Sequence, residues 1–377
     1  MGERQGALEE LGVGGLPGAP QEVVVPDSQQ WSGRPVLVTG HTGFKGSWLS
    51  LWLDSLGAEV SGLSDQVQPA PALFAQADLE QIVDHNIADV RDAEAVHAIV
   101  ERVQPDVVFH LAAQPFVRRS FREPLETYET NVMGTANLLD VVRRVGGVRA
   151  VVVVTSDKCY DNDEKQRPFV ETDPMGGHDP YSNSKGAAEL VTDAFRRSYF
   201  SEPGTANIAS ARAGNVIGGG DWGEDRLIPD IMRAVMAGEP VQIRRPDAVR
   251  PWQHVLNPLS GYLVLAQALI ESGEQAQAWN FGPSIDDAKP VSFLVERLAE
   301  LWPTPIEWEI DNGDHPHEAH FLSLDSSKAR ELLGWRPGWD LAETLGATVA
   351  WFEALQSGEA MSEFSLSQIE DYTRSPA

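Results

Sequence analysis

The run Val151-Val152-Val153-Val154-Thr155 constrains the fold of this chain more than any other stretch. Four consecutive β-branched aliphatics leave no face for solvent, so the segment reads as a strand buried on both sides, which suits a parallel sheet. The strand delivers Ser156-Asp157-Lys158 to its carboxyl end. The same stretch closes on Asp179-Pro180-Tyr181-Ser182-Asn183-Ser184-Lys185, a helix entry. Asp179 can cap the helix, and Pro180 fits its first position, where the missing N–H costs nothing. Tyr181 and Lys185 then stand one turn apart on one helix face. A lysine ammonium favours the phenolate, so the pair can take a proton from an alcohol. Tyr-x-x-x-Lys alone is a weak signal that any exposed helix pair satisfies. The apolar strand before it and a dinucleotide signature upstream give it catalytic weight.

That signature begins with an apolar strand, Arg34 to Thr39, followed directly by Gly40-His41-Thr42-Gly43-Phe44-Lys45-Gly46. Glycines at this spacing allow a tight turn and let backbone N–H groups approach a pyrophosphate at the next helix's positive end. Ser47 to Leu56 supplies the helix and Gly57 stops it. Gly40, Thr42, Gly43, Phe44, Lys45 and Gly46 are therefore candidate cofactor contacts. A second strand covers Glu59 to Leu63, and Asp65 stands just past it, where a carboxylate would accept ribose hydroxyls and select NAD over NADP. Ser64 offers a competing register, and an ordinary loop aspartate is the plainer reading. A third short strand precedes Asp89-Val90. A fourth, Asp106 to Ala113, ends in Leu111, Ala112 and Ala113, small enough to let a cofactor pass or to pack a helix on the sheet. Glu126 to Arg144 reads as one long helix containing Asn131. Asn207 to Arg212 is a further strand, and Trp279 to Gly282 returns to the sheet edge. The alternation predicts a doubly wound α/β fold.

The chain of 377 residues is long enough for two lobes. Its one cysteine, Cys159, excludes an internal disulfide framework and suits a reducing cytoplasm. No segment reaches the apolar length needed to span a bilayer. Residues 1–33 read as a disordered extension, and the stretch beyond Gly358 as a polar tail. The net charge of −27 argues against nucleic acid or an anionic membrane as partner. In so acidic a chain, Arg226, Arg244, Arg245 and Arg250 form a notable concentration of positive charge. Arginine forks bind phosphate oxygens in pairs, and Arg250 and Arg226 are the favoured diphosphate clamps. Trp222 and Trp252 read as core residues before they read as ligand platforms. His315-Pro316-His317-Glu318-Ala319-His320 tempts a metal assignment. Pro316 breaks any regular helix there, and the spacing does not match HExxH, so no metal is expected.

TSDKCYDN followed by DPYSNSKGAAEL, with the GxxGxxG turn upstream, resembles the extended short-chain dehydrogenase/reductases that modify sugar nucleotides. The resemblance runs from about Arg34 to about Trp351 and is strongest to the 4,6-dehydratase branch. It implies a Rossmann domain over 34–212 and about 246–284, and a sequence-interleaved substrate lobe over about 213–245 and 285–358. It implies bound NAD, with Asp89-Val90 at the adenine, Thr155 beside the cofactor, and Asn131 bonding backbone and ordering the surroundings of Lys185 through water. Asn215 would face the substrate diphosphate, the substrate would be a nucleotide sugar with CDP-glucose favoured, and the enzyme would be a homodimer. Ser156, Asp157 and Lys158 join Tyr181 and Lys185 as candidate catalytic residues. Lys158 departs from the dTDP-glucose dehydratases, which carry glutamate at that place. Which of Asp157 and Lys158 acts as acid and which as base stays open. So do a sugar-nucleotide 4-epimerase, a dehydratase for another nucleotide, and a non-catalytic NAD-binding protein.

Overall fold

The structure is a computed structural model that describes residues 24–67, 71–162, 167–311, 313 and 321–375. Seven parallel strands make its central sheet: β1 (Pro35–Thr39), β2 (Glu59–Ser64), β3 (Asp84–Ile87), β4 (Val107–His110), β5 (Ala150–Val154), β6 (Asn207–Arg212) and β7 (Ala278–Asn280). They lie in the order β7-β6-β5-β4-β1-β2-β3. Strand β5 is flanked by β4 and β6 and buried throughout, which is why it consists of aliphatic residues without alternation. Order reverses between β1 and β4, and the chain emerging from the carboxyl ends of β1, β4, β5 and β6 opens onto one cleft. Ligands bind at such a switch point in open α/β sheets.

Five helices frame this sheet: α1 (Phe44–Ser55), α2 (Ala93–Val103), α3 (Gly134–Val145), α4 (Pro180–Tyr199) and α5 (Leu256–Glu271). Asp179 caps α4 by accepting from the Ser182 amide at 2.9 Å, with Pro180 in the first turn. Three short strand pairs stand apart from the main sheet: Val216–Ile217 with Gln253–His254, Val249–Pro251 with Ala288–Pro290, and Val241–Ile243 with Trp308–Ile310. Helices Leu227–Ala237 and Val291–Leu301 accompany them.

Three local expectations give way to packing. The helix expected over 126–144 is instead Pro124–Tyr128, a wide π turn over Glu129–Met133, and α3. Such turns occur where a side chain must be re-aimed, often at functional sites, and this one carries Asn131. Part of the extension expected to be disordered is packed: Asp27 caps a short helix, Ser28–Trp31, and Trp31 is fully buried 6.0 Å from the Phe109 ring. Burying a large apolar side chain contributes about 1.5–3 kcal/mol, enough to hold a short segment. Residues 1–23 lie outside the described residues, as does the histidine cluster at 315–320. Beyond Gly358, the supposed tail forms a helix. Here α6 (Leu341–Ser357) is followed by α7 (Met361–Arg374), which buries Met361, Ile369 and Tyr372. The Tyr372 ring packs edge-on against Trp52 and Trp339. A polar average hid an amphipathic stripe. Among the described residues, no helix is long and apolar enough to cross a membrane.

Candidate active site

One cleft of about 830 Å³ runs across the carboxyl ends of the sheet. Every candidate residue named above except Asn131 lines it, as do Arg245, Trp222 and Trp252.

At one end is the glycine turn. Gly40 has φ +75° and approaches β4 so closely that a Cβ there would lie 2.7 Å from the Ala112 amide nitrogen. A Cβ on Gly46 would stand 2.1 Å from the Gly40 carbonyl oxygen. The turn therefore closes only with glycine. Helix α1 starts at Gly43 with no side chain capping it, so its first amides are left for a ligand at the cleft wall. That arrangement fits a dinucleotide pyrophosphate. Ser64 is committed to the turn itself: its hydroxyl meets His41 Nδ1 at 2.9 Å and accepts from the Thr42 amide at 3.3 Å. Asp65, exposed and on the cleft wall, is thus the carboxylate available at the end of β2. His41 also meets His85 at 2.6 Å, and burial, with the neighbouring ring, brings its pKa down to about 4.

Asn131 sits behind the cleft. Its side chain accepts from the Gln114 amide at 2.8 Å and donates to the Gln114 carbonyl at 3.1 Å and the Ser184 hydroxyl at 2.8 Å. The π turn thereby ties the end of β4 to α4. Neither Gln114 nor Ser184 was legible as a partner, because neither the π turn nor the contact between distant helices has a local pattern.

In the middle of the cleft, β5 ends in a buried Ser156 and Asp157 with Lys158 half-buried. The Ser156 hydroxyl donates to Asp157 Oδ1 at 3.0 Å and accepts from the Lys158 amide at 3.2 Å. Asn215 donates to Asp157 Oδ2 at 3.3 Å. Gly214 faces the same carboxylate, and a Cβ on it would fall 1.7 Å from Oδ2, so only glycine leaves room for Asp157. Burial pushes the Asp157 carboxyl up, against the opposing pull of Lys158, the Ser156 hydroxyl, Arg250 and Lys45. Tyr181 comes in from α4 and is buried on the cleft wall. Burial pushes it up to about 12, with the Ser156 side chain opposing. Lys185 Nζ donates to the Val154 carbonyl at 3.4 Å; burial brings it down to about 8, opposed by the Glu189 carboxylate. Lys45 is held at about 7 by burial first and the Arg226 charge second, with Asp157 and Asp221 opposing. The protein by itself thus keeps the phenol protonated, with two lysines close to losing their charge. Cations and dipoles brought by ligands decide how far the tyrosine ionises.

Behind this centre lies a buried polar cluster that the sequence reading missed. Glu189 accepts from Thr155 Oγ1 at 2.5 Å, Ser210 Oγ at 2.6 Å and Arg212 at 2.8 Å. Arg212 also donates to the Tyr160 hydroxyl at 2.7 Å, which donates to Asn280 at 2.7 Å. Glu189 follows Lys185 by one helical turn, a spacing that could have flagged it. Nothing local announces its partner on β6.

The far end of the cleft carries the arginines. Arg226 Nη1 donates to both carboxylate oxygens of Asp221, at 2.9 and 3.0 Å, and its guanidinium lies over the Phe116 ring. Arg244 meets Asp225 at 3.3 Å, a carboxylate it shares with Arg118, which the sequence reading did not single out. Arg250 is 8 % exposed and donates to its neighbour's carbonyl at 2.9 Å. The acidic partners hold the guanidinium planes in place and temper their charge until an anion arrives. Trp222 and Trp252 both line the cleft and both pack inward: Trp222 against Phe352, and Trp252 donating to the Lys289 carbonyl at 2.9 Å. Among the described residues no group of His, Cys, Asp and Glu is placed to hold a metal ion.

Comparison with known proteins bears on what this arrangement does. The family described as GDP-mannose 4,6 dehydratase matches residues 37–348. A CDP-glucose 4,6-dehydratase of Salmonella typhimurium is 52% identical over 92% of this chain and 98% of that protein. A dTDP-glucose 4,6-dehydratase of Xanthomonas campestris is 30% identical over 84% of this chain and 92% of its own. Among solved structures, a dTDP-glucose 4,6-dehydratase from Streptomyces venezuelae with NAD and TYD bound superposes with a TM-score of 0.73. It is 25% identical, over 86% of this chain and 98% of the other.

Proposed function

The chain belongs to the GDP-mannose 4,6 dehydratase family, and from that premise we propose that it is an NAD-dependent hydro-lyase converting CDP-D-glucose to CDP-4-dehydro-6-deoxy-D-glucose. The observation that carries this reading is the presence of two proton-handling pairs in one cleft: Tyr181 with Lys185, and Asp157 with Lys158. A 4-epimerase needs only the first pair. The relative at 52% identity supports CDP-glucose as the substrate.

Bound NAD would supply the carbon that accepts a hydride from C4 and returns it to C6. The turn from Gly40 to Gly46 would hold its diphosphate and Asp65 its adenosine ribose, with Val90, Ala112 and Ala113 along its path. Tyr181 takes the proton of the C4 hydroxyl, and Lys185 supplies positive charge beneath it. Once C4 is a ketone, the C5 hydrogen is acidic. Lys158 removes it as base, and Asp157, whose carboxyl burial pushes up, donates to the C6 hydroxyl so that it leaves as water. Lys158 then returns a proton to C5. Asn215, Arg226 and Arg250 hold the substrate diphosphate, with Arg244 and Arg118 lending charge from alongside. A turnover assay with CDP-, dTDP-, UDP- and GDP-glucose tests the reading. CDP-glucose should be consumed fastest with a 4-keto-6-deoxy product, and a 4-epimer as product would sink it.

Asp65 predicts a preference that binding alone can read. In fluorescence titrations the cofactor-free protein should bind NAD more tightly than NADP, because the carboxylate repels a 2′-phosphate. Asp65→Asn should narrow the gap, and an unchanged ratio would move NAD selection elsewhere.

A homodimer is part of the same reading. Leu125, Met133 and Leu190 are 75%, 53% and 62% exposed on the neighbouring helices around Asn131 and along α4. Apolar side chains so exposed on packed helices suit a second copy of the chain. Light scattering should give twice the chain mass, and Leu190→Arg should give a monomer. A cytoplasmic location agrees with a buried, unpaired Cys159.

A further inference from the structure

A nucleotide sugar has three parts, and the residues assigned so far hold two of them. The hexose belongs at Tyr181 and Asp157, and the diphosphate at Asn215, Arg226 and Arg250. The glycine turn and Asp65 belong to the cofactor. The lining left for the nucleoside includes Arg118, Asp225, Leu227, Gln242, Ile243 and Arg244. Asp225 stands out among them. Its φ of +57° is a left-handed conformation, uncommon outside glycine, and such backbone strain collects at ligand-binding sites.

Only one oxygen of its carboxylate is engaged. Oδ1 accepts from Arg118 Nη1 and from Arg244 Nη1, both at 3.3 Å. Arg244 Nη2 also donates to the Asp225 backbone carbonyl at 3.1 Å, which fixes carboxylate and guanidinium relative to each other. Among the described residues Oδ2 takes no hydrogen bond, and the other N–H groups of Arg244 give none. The pair therefore offers the cleft an acceptor with donors beside it. The pairing edge of cytosine runs in the complementary order: the 4-amino group donates, and N3 and O2 accept. Carboxylates read cytosine through that amino group. In uracil and thymine the first two groups are exchanged, so O4 would face the carboxylate and N3–H the guanidinium. Two bonds become two repulsions. Sites built from hydrogen-bonding groups reject such a mismatch far more strongly than apolar pockets do. Leu227 and Ile243, close in the chain to Asp225 and Arg244, line the same cleft and supply apolar surface for a base.

We propose that the Asp225–Arg244 pair selects the nucleotide base, with Asp225 Oδ2 accepting from the cytosine 4-amino group and the Arg244 guanidinium donating to N3 and O2. Arg118 steadies the carboxylate through Oδ1. The inference rests on the dehydratase reading above and names the groups that choose its nucleotide.

CDP and UDP carry the same diphosphate, so the ratio of their affinities isolates the base. In calorimetric titrations of the NAD-loaded enzyme, CDP should bind about 10–100-fold more tightly than UDP. Asp225→Asn keeps an oxygen for the arginines and puts an amino group where Oδ2 stood. It should weaken CDP, strengthen UDP and bring the ratio to about one or below. A carboxylate that only tethers the arginines would shift both affinities by one factor, and that unchanged ratio overturns the proposal. Should Asp225→Asn fail to fold by thermal melting, wild type decides with the diphosphate of pyrimidin-2-one riboside, which is CDP without its 4-amino group. It should bind at least about tenfold more weakly than CDP, and equal affinity overturns the proposal. A wild type that dehydrates no nucleotide sugar fells the underlying reading. One that dehydrates CDP-glucose yet binds CDP and UDP alike fells only the base selection.

Discussion

With CDP-glucose carrying deuterium at C4, the label should be recovered at C6 of the same molecule. The proposed mechanism runs both half-reactions in one cleft, with nothing leaving between them. In heavy water, C5 should acquire solvent deuterium, because its proton passes to an exchangeable side chain. Mass spectrometry and proton NMR of the product read both positions. An epimerase would return the label to C4 and leave C5 untouched, and that pattern would defeat the proposed function. Site variants place each residue on its step. Tyr181→Phe should slow the first oxidation by about 10²–10⁴-fold, the usual weight of a positioned proton acceptor. Asp157→Asn and Lys158→Met should spare oxidation more than elimination, so that the 4-keto hexose accumulates in single turnover. Lys158→Met eliminating water at the wild-type rate would show that Lys158 is not the base.

Arg212→Met should be the most destabilising single change near the site. Arg212 and Glu189 are 3% and 4% exposed and bonded at 2.8 Å. Removing the guanidinium leaves a buried carboxylate without its bonded counter-charge, at a cost of about 3–5 kcal/mol, read as a lowered urea midpoint. Removing both charges with Glu189→Met in the same chain should recover part of that loss, because no buried charge is stranded. The carboxylate also predicts an acid limb. Burial raises its pKa, but the Arg212 charge and the bonds from Arg212, Ser210 and Thr155 outweigh this and hold it below the ordinary glutamate value of 4.5. A folded-state pKa below the unfolded one contributes stability that is present above the unfolded value and is lost as pH falls through the folded one. Glu189→Gln should lack that component. A wild-type and a Gln variant losing stability in parallel with acid would assign the acid limb to other carboxylates.

Much of the candidate site was legible because its signals are local. A strand without polar alternation says that both faces are covered, and β5 lies between β4 and β6. A glycine turn between strand and helix needs only short-range geometry, and so does the single turn separating Tyr181 from Lys185. The Asp65 register was legible only as two alternatives, and the cross-turn contacts of the Ser64 hydroxyl with His41 and Thr42 have no local pattern. Composition misled at both ends of the chain. Trp31 and the apolar stripe of α7 are few residues in polar surroundings, and their burial depends on the surface that other segments present.

What only the tertiary structure decided is whatever depends on a partner far away in the chain. The π turn carries Asn131, whose side chain bonds Gln114 and Ser184 together, and helical periodicity carries no trace of those contacts. Arg212 reads as the end of a strand until α4 brings Glu189 against it. The arginines beyond Asn215 read as phosphate-binding charges, and only the fold sets Asp221 against Arg226 and Asp225 against Arg244. A sequence states which groups can ionise or donate. Which of them lose water, and which charge stands beside them, is settled by packing, because desolvation and Coulomb energy depend on distances that local pattern does not encode.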